Sequence, residues 1–392
     1  MVQSPAFLPK TILNETRSRP TGGHKDYLDG IRALAALWVV LSHLWIIPCG
    51  LAARDTWLGR LTNWTLYSHF AVDIFIVLSG FCLILPVARD GELQGGVLRF
   101  FLRRAQRILP PFYAALAISI GIMLAVQALG HHALHINRVA LAANVFLVQD
   151  VFQPLDIFNG PFWSIAVEWR IYFLFPVLVW VLPRYGKRGV LLLAGLAGGV
   201  ATLMILRVHP EMVLACPWYL LLFALGLCSG SLSMGKNRRG DRQRCFAVCL
   251  VSLAGLAALI DAHPVTTHGS RNFGSYLPLT DTVAGLAVAA GLLSVSWSPQ
   301  NFPLLSWPPL VTLGTFAYSL YLIHMPCLLL FSKLLTVYLP AWHHPLQRFS
   351  ALALTLPLVI TLAWLFFLVF EKPFIRQRRK ELSGGQQTQQ RA

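Results

Sequence analysis

Residues 28–48 read LDGIRALAALWVVLSHLWIIP, a run in which only Asp29, Arg32 and His43 are ionisable. A helix rises about 1.5 Å per residue and the hydrocarbon core of a bilayer is about 30 Å thick, so a segment of this length and character is built to cross it. The same criterion, moved along the chain, marks nine further runs at 69–88, 109–129, 163–183, 189–207, 213–232, 245–262, 278–297, 311–335 and 348–370. The expected fold class is therefore all-α, a polytopic transmembrane helical bundle of about ten spans. Composition agrees: the 392 residues are 56% hydrophobic and 12% charged, with a mean hydropathy of +0.61, which excludes an ordinary soluble domain.

The net charge of +16 is carried by short connections rather than by one face. Clusters at Arg99, Arg103, Arg104 and Arg107, at Arg184, Lys187 and Arg188, at Lys236 to Arg244, and at Arg376 to Lys380 all fall on the side of the basic N-terminal stretch. This positive-inside bias puts both termini in the cytoplasm and argues against nucleic acid as a partner. Residues 1–26 read as a disordered cytosolic tail without a signal peptide, 27–375 as one transmembrane unit, and 376–392 as a basic, then Gln-rich, cytosolic tail. One segment strains the count: 139–152, VALAANVFLVQDVF, is too short to cross and would reverse the charge bias if it did. It is expected to be a short re-entrant or interfacial piece, tolerable at membrane depth only against protein or a watery cavity. The seven cysteines are odd in number and form no CxxC pair, so neither a disulfide framework nor a metal site is expected.

Charges inside spans cost roughly 2.5–3.5 kcal/mol each on the insertion scale and mark functional candidates. Here they are Arg32 and His43, Asp73, Glu168 and Arg170, and His324, with Asp281 and Glu371 near span ends. Measured along their helices, His43, Asp73 and Glu168 share one depth in the outer half of the bilayer. A histidine beside a carboxylate takes a proton from a hydroxyl, so His43 with Glu168 or Asp73 is the expected acid–base group. Arg32 stands eleven residues from His43, about 1100° of helix and hence nearly the same face, about 16 Å away. Either an elongated anionic ligand lies along that face, or Arg32 snorkels to headgroups.

Three local patterns add to this. In RRAQR, Arg104 and Arg107 form an i,i+3 fork suited to phosphate. In GPFWSIAVEWR, Ser164 and Glu168 share a face behind a Gly-Pro turn, beside Trp163. In YSLYLIHMP, Tyr321 and His324 are i,i+3 and Pro326 frees a carbonyl, suiting a kinked cavity wall.

Taken in order, YLDGIRALAALWVVLSH, FAVDIFIVLSGF, RRAQRILPPFY, FWSIAVEWRIYFLFP, YSLYLIHMP and the terminal FEKPF resemble acyltransferase family 3, the integral-membrane O-acyltransferases of bacterial surface polysaccharides and related acceptors. The resemblance runs from about Tyr27 to Phe374. It implies an acyl-CoA-dependent O-acyltransferase of the bacterial inner membrane. That enzyme would use acyl-CoA, usually acetyl-CoA, as donor substrate, with no permanently bound cofactor, and a saccharide or glycolipid hydroxyl as acceptor. It further implies His43 as the essential histidine, Arg32, Arg104 and Arg107 as donor-binding residues, and Trp163, Ser164, Tyr321 and His324 as site-lining residues. Acyl transfer can be direct or through an acyl-enzyme on Ser164 or His43. The alternative is a transporter or flippase for an anionic substrate or glycan, which would use the same buried charges.

Overall fold

The protein is seen in a computed structural model that describes residues 23–50, 57–151, 158–235, 239–262, 271–339 and 344–375. Its helices are α1 Gly23–Cys49, α2 Trp57–Thr62, α3 His69–Asp90, α4 Gly96–Leu129, α5 Arg138–Val145, α6 Phe162–Val208, α7 Tyr219–Ser233, α8 Arg239–Ala262, α9 Arg271–Trp297, α10 Pro308–Thr315, α11 Ala317–Tyr338, α12 Pro345–Leu354 and α13 Leu356–Phe366, which continues into a π-turn at Phe367–Glu371. Among the described residues nine helical stretches are long and apolar enough to cross a membrane, and the chain is a multi-pass membrane protein.

One of the nine stretches is two spans. α6 has 47 residues, about 70 Å of helix, more than twice the hydrocarbon thickness. At Gly186 the backbone leaves the helix with φ 65° and ψ −172°, a conformation that only glycine adopts freely. Along the first half, Trp163 and then Tyr172 meet Tyr219 and then Phe223 of α7, in ascending order. Along the second half, Lys187 meets Cys228 and Gly198 meets Pro217, in descending order. The chain therefore reverses at Gly186, and the separate runs 163–183 and 189–207 are the two arms of a hairpin.

The most extensive helix–helix contact is between α3 and α7. A Cβ on Gly80 would lie 2.1 Å from the carbonyl oxygen of Phe223, and one on Gly226 would lie 2.0 Å from that of Val77. Without side chains at these two positions the helix backbones touch, which is how dispersion holds helices together when the surrounding solvent is itself apolar. Phe81, Phe112, Phe162, Phe175 and Phe223 fill the interior. Leu192, Leu196, Val200 and Leu203 of α6 point outward, onto the surface that lipid covers.

Three details differ from the sequence expectation, and a fourth, the short segment after α4, agrees with it. Residues 23–26, read as tail, are the first turn of α1, where Asp26 complements the positive end of the helix dipole; the rest of 1–26, and 376–392, lie outside the described residues. The run 311–335 is divided at Phe316 into α10 and α11, because α10 is pressed against α1 backbone to backbone, Gly314 against Asp29. The run 348–370 is divided at Thr355, ahead of Pro357. Over 139–151 the chain forms α5, about 12 Å long and started by Asn137, whose side chain accepts from the amides of Val139 and Ala140, and then turns back without crossing.

Gly226→Leu is expected to separate α3 from α7 and destabilise the protein by about 3 kcal/mol or more. Thermal unfolding of the detergent-solubilised protein measures it; a melting temperature equal to that of the wild type would contradict the close approach.

Candidate active site

The bundle encloses a cavity of about 690 Å³ whose walls follow helical stripes. α3 contributes Val72, Phe75, Ile76, Ser79, Cys82 and Leu83; α4 contributes Arg104, Arg107 and Ile108; α6 contributes Ser164, Ile165, Glu168 and Tyr172; α11 contributes Ala317, Tyr318 and Tyr321. One end, where α1 begins and the π-turn follows α13, is ringed by Asp29, Arg32, Glu371, Lys372 and Ile375. The other end closes at Ser164, Phe75 and Tyr321. There the Ser164 Oγ and Tyr321 hydroxyl are 2.7 Å apart, both reach the carbonyl of Pro161, and the Phe75 ring stands edge-on to Tyr321.

Beyond Tyr321, one helical turn further along the same stripe of α11, lies His324. It is fully buried, its ring 5.9 Å from that of Tyr321, and its Nε2 is 3.1 Å from Nδ1 of His43 on α1. The partners fix the protons of the neutral pair. His324 Nδ1 lies 3.1 Å from the carbonyl of Leu320, which only accepts, so Nδ1 carries the hydrogen and Nε2 is left as an acceptor. His43 Nδ1–H then donates to that Nε2, and His43 Nε2 keeps its lone pair. A histidine thus stands where the sequence reading put a carboxylate.

Neither expected carboxylate partner meets His43. Glu168 faces the cavity and accepts a hydrogen bond from the hydroxyl of Tyr172, which lies 2.9 Å from Ser79 Oγ. Asp73 is completely buried on a different face of α3, turned from the cavity toward Tyr219 and Asp281. Asp281 in turn accepts from the Trp218 indole at 2.9 Å and stands 3.3 Å from His69. Trp163 packs against Tyr219, and it does not line the cavity. α1 gives the cavity only Asp29 and Arg32; its middle, with Ala33, Ala35, Ala36 and Val40 fully buried, packs against α3 and α11 instead of forming a continuous ligand wall up to His43.

The arginines differ in how they are engaged. Arg32 donates to Asp29 at 2.5 Å and to Cys82 Sγ at 3.1 Å. Arg104 is buried in the wall near Tyr172, while Arg107 is half-buried close to Glu371 and Tyr318. Arg170 lies off the cavity, in a two-pronged ion pair with the buried Asp150, and also donates to the carbonyl of Ala215 at 3.3 Å. It pins the non-crossing segment after α5 to α6 and to the turn that precedes α7. Sequence reasoning missed Ser79, Tyr172, Tyr318 and Lys372 as cavity residues. Two of them carried a signal: Tyr172 follows Glu168 by four residues and Tyr318 precedes Tyr321 by three.

A sequence profile described as an acyltransferase domain matches residues 25–368, nearly the whole span of helices. The chain belongs to this acyltransferase family. Among its relatives are YrhL of Bacillus subtilis (strain 168), provisionally named a peptidoglycan O-acetyltransferase, 25% identical over 91% of this chain and 56% of that protein, and the O-acetyltransferase OatA of Staphylococcus aureus, 24% identical over 76% of this chain and 50% of that protein. Nodulation protein 10 of Rhizobium leguminosarum bv. viciae is 25% identical over 46% and 51% respectively. The chain spans about half the length of these curated relatives. No solved structure matches it.

Removing Arg170 leaves the buried Asp150 carboxylate without its partner, at a cost of about 3–5 kcal/mol. Arg170→Gln and Asp150→Asn are each expected to lower thermal stability sharply, and the double variant to lose less than the sum of the two. Additive losses would contradict the pairing.

Proposed function

We propose that the chain is a membrane O-acyltransferase that moves an acyl group, in the simplest case acetyl, from cytosolic acyl-CoA to a hydroxyl of a surface polysaccharide or lipid-linked saccharide, in a bacterial inner membrane. The observation that carries this reading is the alignment along α11. A cavity lined toward its mouth by Arg32, Arg104, Arg107 and Lys372, with Asp29 and Glu371 among them, runs past Tyr318 to Tyr321, and one turn further stands a histidine pair with a free lone pair on His43 Nε2. Acyl-CoA has the matching polarity: phosphates at one end, a neutral pantetheine arm and a thioester at the other.

In this reading the mouth is cytosolic, as the basic loops favour. Arg104 and Arg107 supply the cationic field for the phosphates, with Arg32 engaged at the rim by Asp29 and Cys82, and the arm lies between the α3 and α6 stripes, with the thioester near Ser164 and Tyr321. His43 Nε2 takes the proton of the acceptor hydroxyl as its oxygen attacks the thioester carbonyl. The C–S bond breaks, and the departing CoA thiolate recovers the proton from the imidazolium. His324 holds His43 in the reactive tautomer and accepts from the imidazolium as charge develops, the orienting role that a carboxylate plays in a hydrolase triad. Because the cavity closes at Tyr321 and Phe75, the acceptor approaches His43 from the opposite side, and transfer requires these two rings to yield. Direct transfer is favoured over an acyl-Ser164 enzyme, because Ser164 contacts a phenol and a carbonyl rather than a base that would activate it. Glu168 keeps a substrate-facing place in the wall, whereas Asp73, remote from the histidines, supports the α3–α7–α9 packing.

His43→Ala is expected to cut acyl transfer about 10²- to 10⁴-fold at normal abundance in the membrane. His324→Gln should lower kcat with little change in the donor KM. Both are read as the acetyl increment on surface glycans by mass spectrometry, and as transfer rates in isolated membranes; full activity of His43→Ala would rule out the assignment.

A further inference from the structure

The cavity holds four cations, Arg32, Arg104, Arg107 and Lys372, against three carboxylates, Asp29, Glu168 and Glu371. A polyanion entering it meets a surface already nearly neutral, so what matters is which cations still have donors to give. Arg32 has spent its guanidinium on Asp29 and Cys82. Arg104 is buried, with contacts of its own inside the wall. Arg107 and Lys372 are both half-buried at the mouth, and neither makes a hydrogen bond or ion pair among the described residues, Arg107 standing near Glu371 without bonding to it.

The backbone delivers Lys372 to this place. α13 would carry on as a plain helix, but at Phe367–Glu371 it widens into a π-turn, an insertion that shifts every following side chain around the axis and is common at functional sites. The widened turn packs against α4, the helix of Arg107. It seats Glu371 inward, where the Ser319 hydroxyl donates to it at 2.5 Å, and leaves the next residue, Lys372, on the cavity rim. Glu371 is thereby held back beside Ser319, and the forward position belongs to the ammonium.

We propose that Lys372, with Arg107, forms the phosphate-binding clamp of the donor site, while Arg32 stays engaged by Asp29 on its own helix and by Cys82 of α3. The proposal rests on the reading of the cavity as the acyl-CoA site, and its ligand chemistry is a phosphate. Two sources supply one at this depth, the donor itself and a lipid headgroup. Planar bidentate recognition by Arg107 and a point charge from Lys372 are complementary ways to hold it.

The test uses the full chain in nanodiscs of neutral phosphatidylcholine, with CoA binding measured by calorimetry. Lys372→Met is expected to weaken CoA binding about tenfold or more, the loss of one charge-assisted contact. Lys372→Arg should restore binding to within about threefold of the wild type. Arg188→Met, which removes an exposed charge at the α6 bend outside the cavity, should change nothing. Unchanged CoA affinity in Lys372→Met would overturn the clamp while leaving the donor site standing. Dependence on Lys372 that appears only with anionic lipid in the disc would also overturn it, by assigning the ammonium to headgroups. Wild-type protein that binds no CoA would sink the donor reading itself, a result distinguishable from both.

Discussion

An ionised side chain inside a bilayer has no water to satisfy it, so the bundle must supply a partner, and this requirement organises the interior. Arg32 is answered by Asp29 three residues earlier, Arg170 by Asp150 across the chain, and Glu371 by Ser319. Glu168 is answered by Tyr172 and, through it, Ser79. The histidines answer each other, with Leu320 closing the chain of donors. Each of these contacts also fixes a direction: the Arg170 pair holds the non-crossing segment onto α6, and the His43–His324 contact ties the first span to α11. Polar groups that would be liabilities singly become the joints of the bundle.

The backbone contribution is of the opposite kind. α3 and α7 meet through glycines, with nothing between them but peptide. That contact brings the α3 cavity stripe, Val72 to Leu83, into fixed relation with the aromatic layer of Tyr172, Phe175 and Phe223. Without rigid packing there, the cavity would have no constant width, and a site that depends on near-attack geometry would lose its reference frame.

Most of the bundle was legible in the sequence, because a spanning segment is a one-dimensional signal: length and apolarity suffice. Even the α6 hairpin appeared as two runs separated by Arg184 to Arg188. Much of the cavity wall was legible too, since Ser164 with Glu168 and Arg104 with Arg107 are helical neighbours whose shared face follows from spacing. The partner of His43 was not. Depth along a helix is countable, and it placed Asp73 and Glu168 level with His43, but a contact also needs the angle about the axis. Asp73 follows Val72 by one residue, hence by about 100°, which turns it from the cavity stripe toward Tyr219. His324 lies 281 residues from His43, and only tertiary packing joins them. The roles of Arg32 and Lys372 were hidden for a related reason: both are cations near span ends, and only their partners tell them apart.

Donor chemistry at a site inside the membrane is what distinguishes an acyltransferase from a carrier built on the same buried charges. The most direct measurement supplies radiolabelled acetyl-CoA to sealed vesicles containing the protein, on the face where α1 begins, and follows the label. Label on a saccharide acceptor, with free CoA released in equal amount, is the predicted result. Labelled substrate recovered intact on the far side, or no label leaving CoA although acceptor is present, would contradict it.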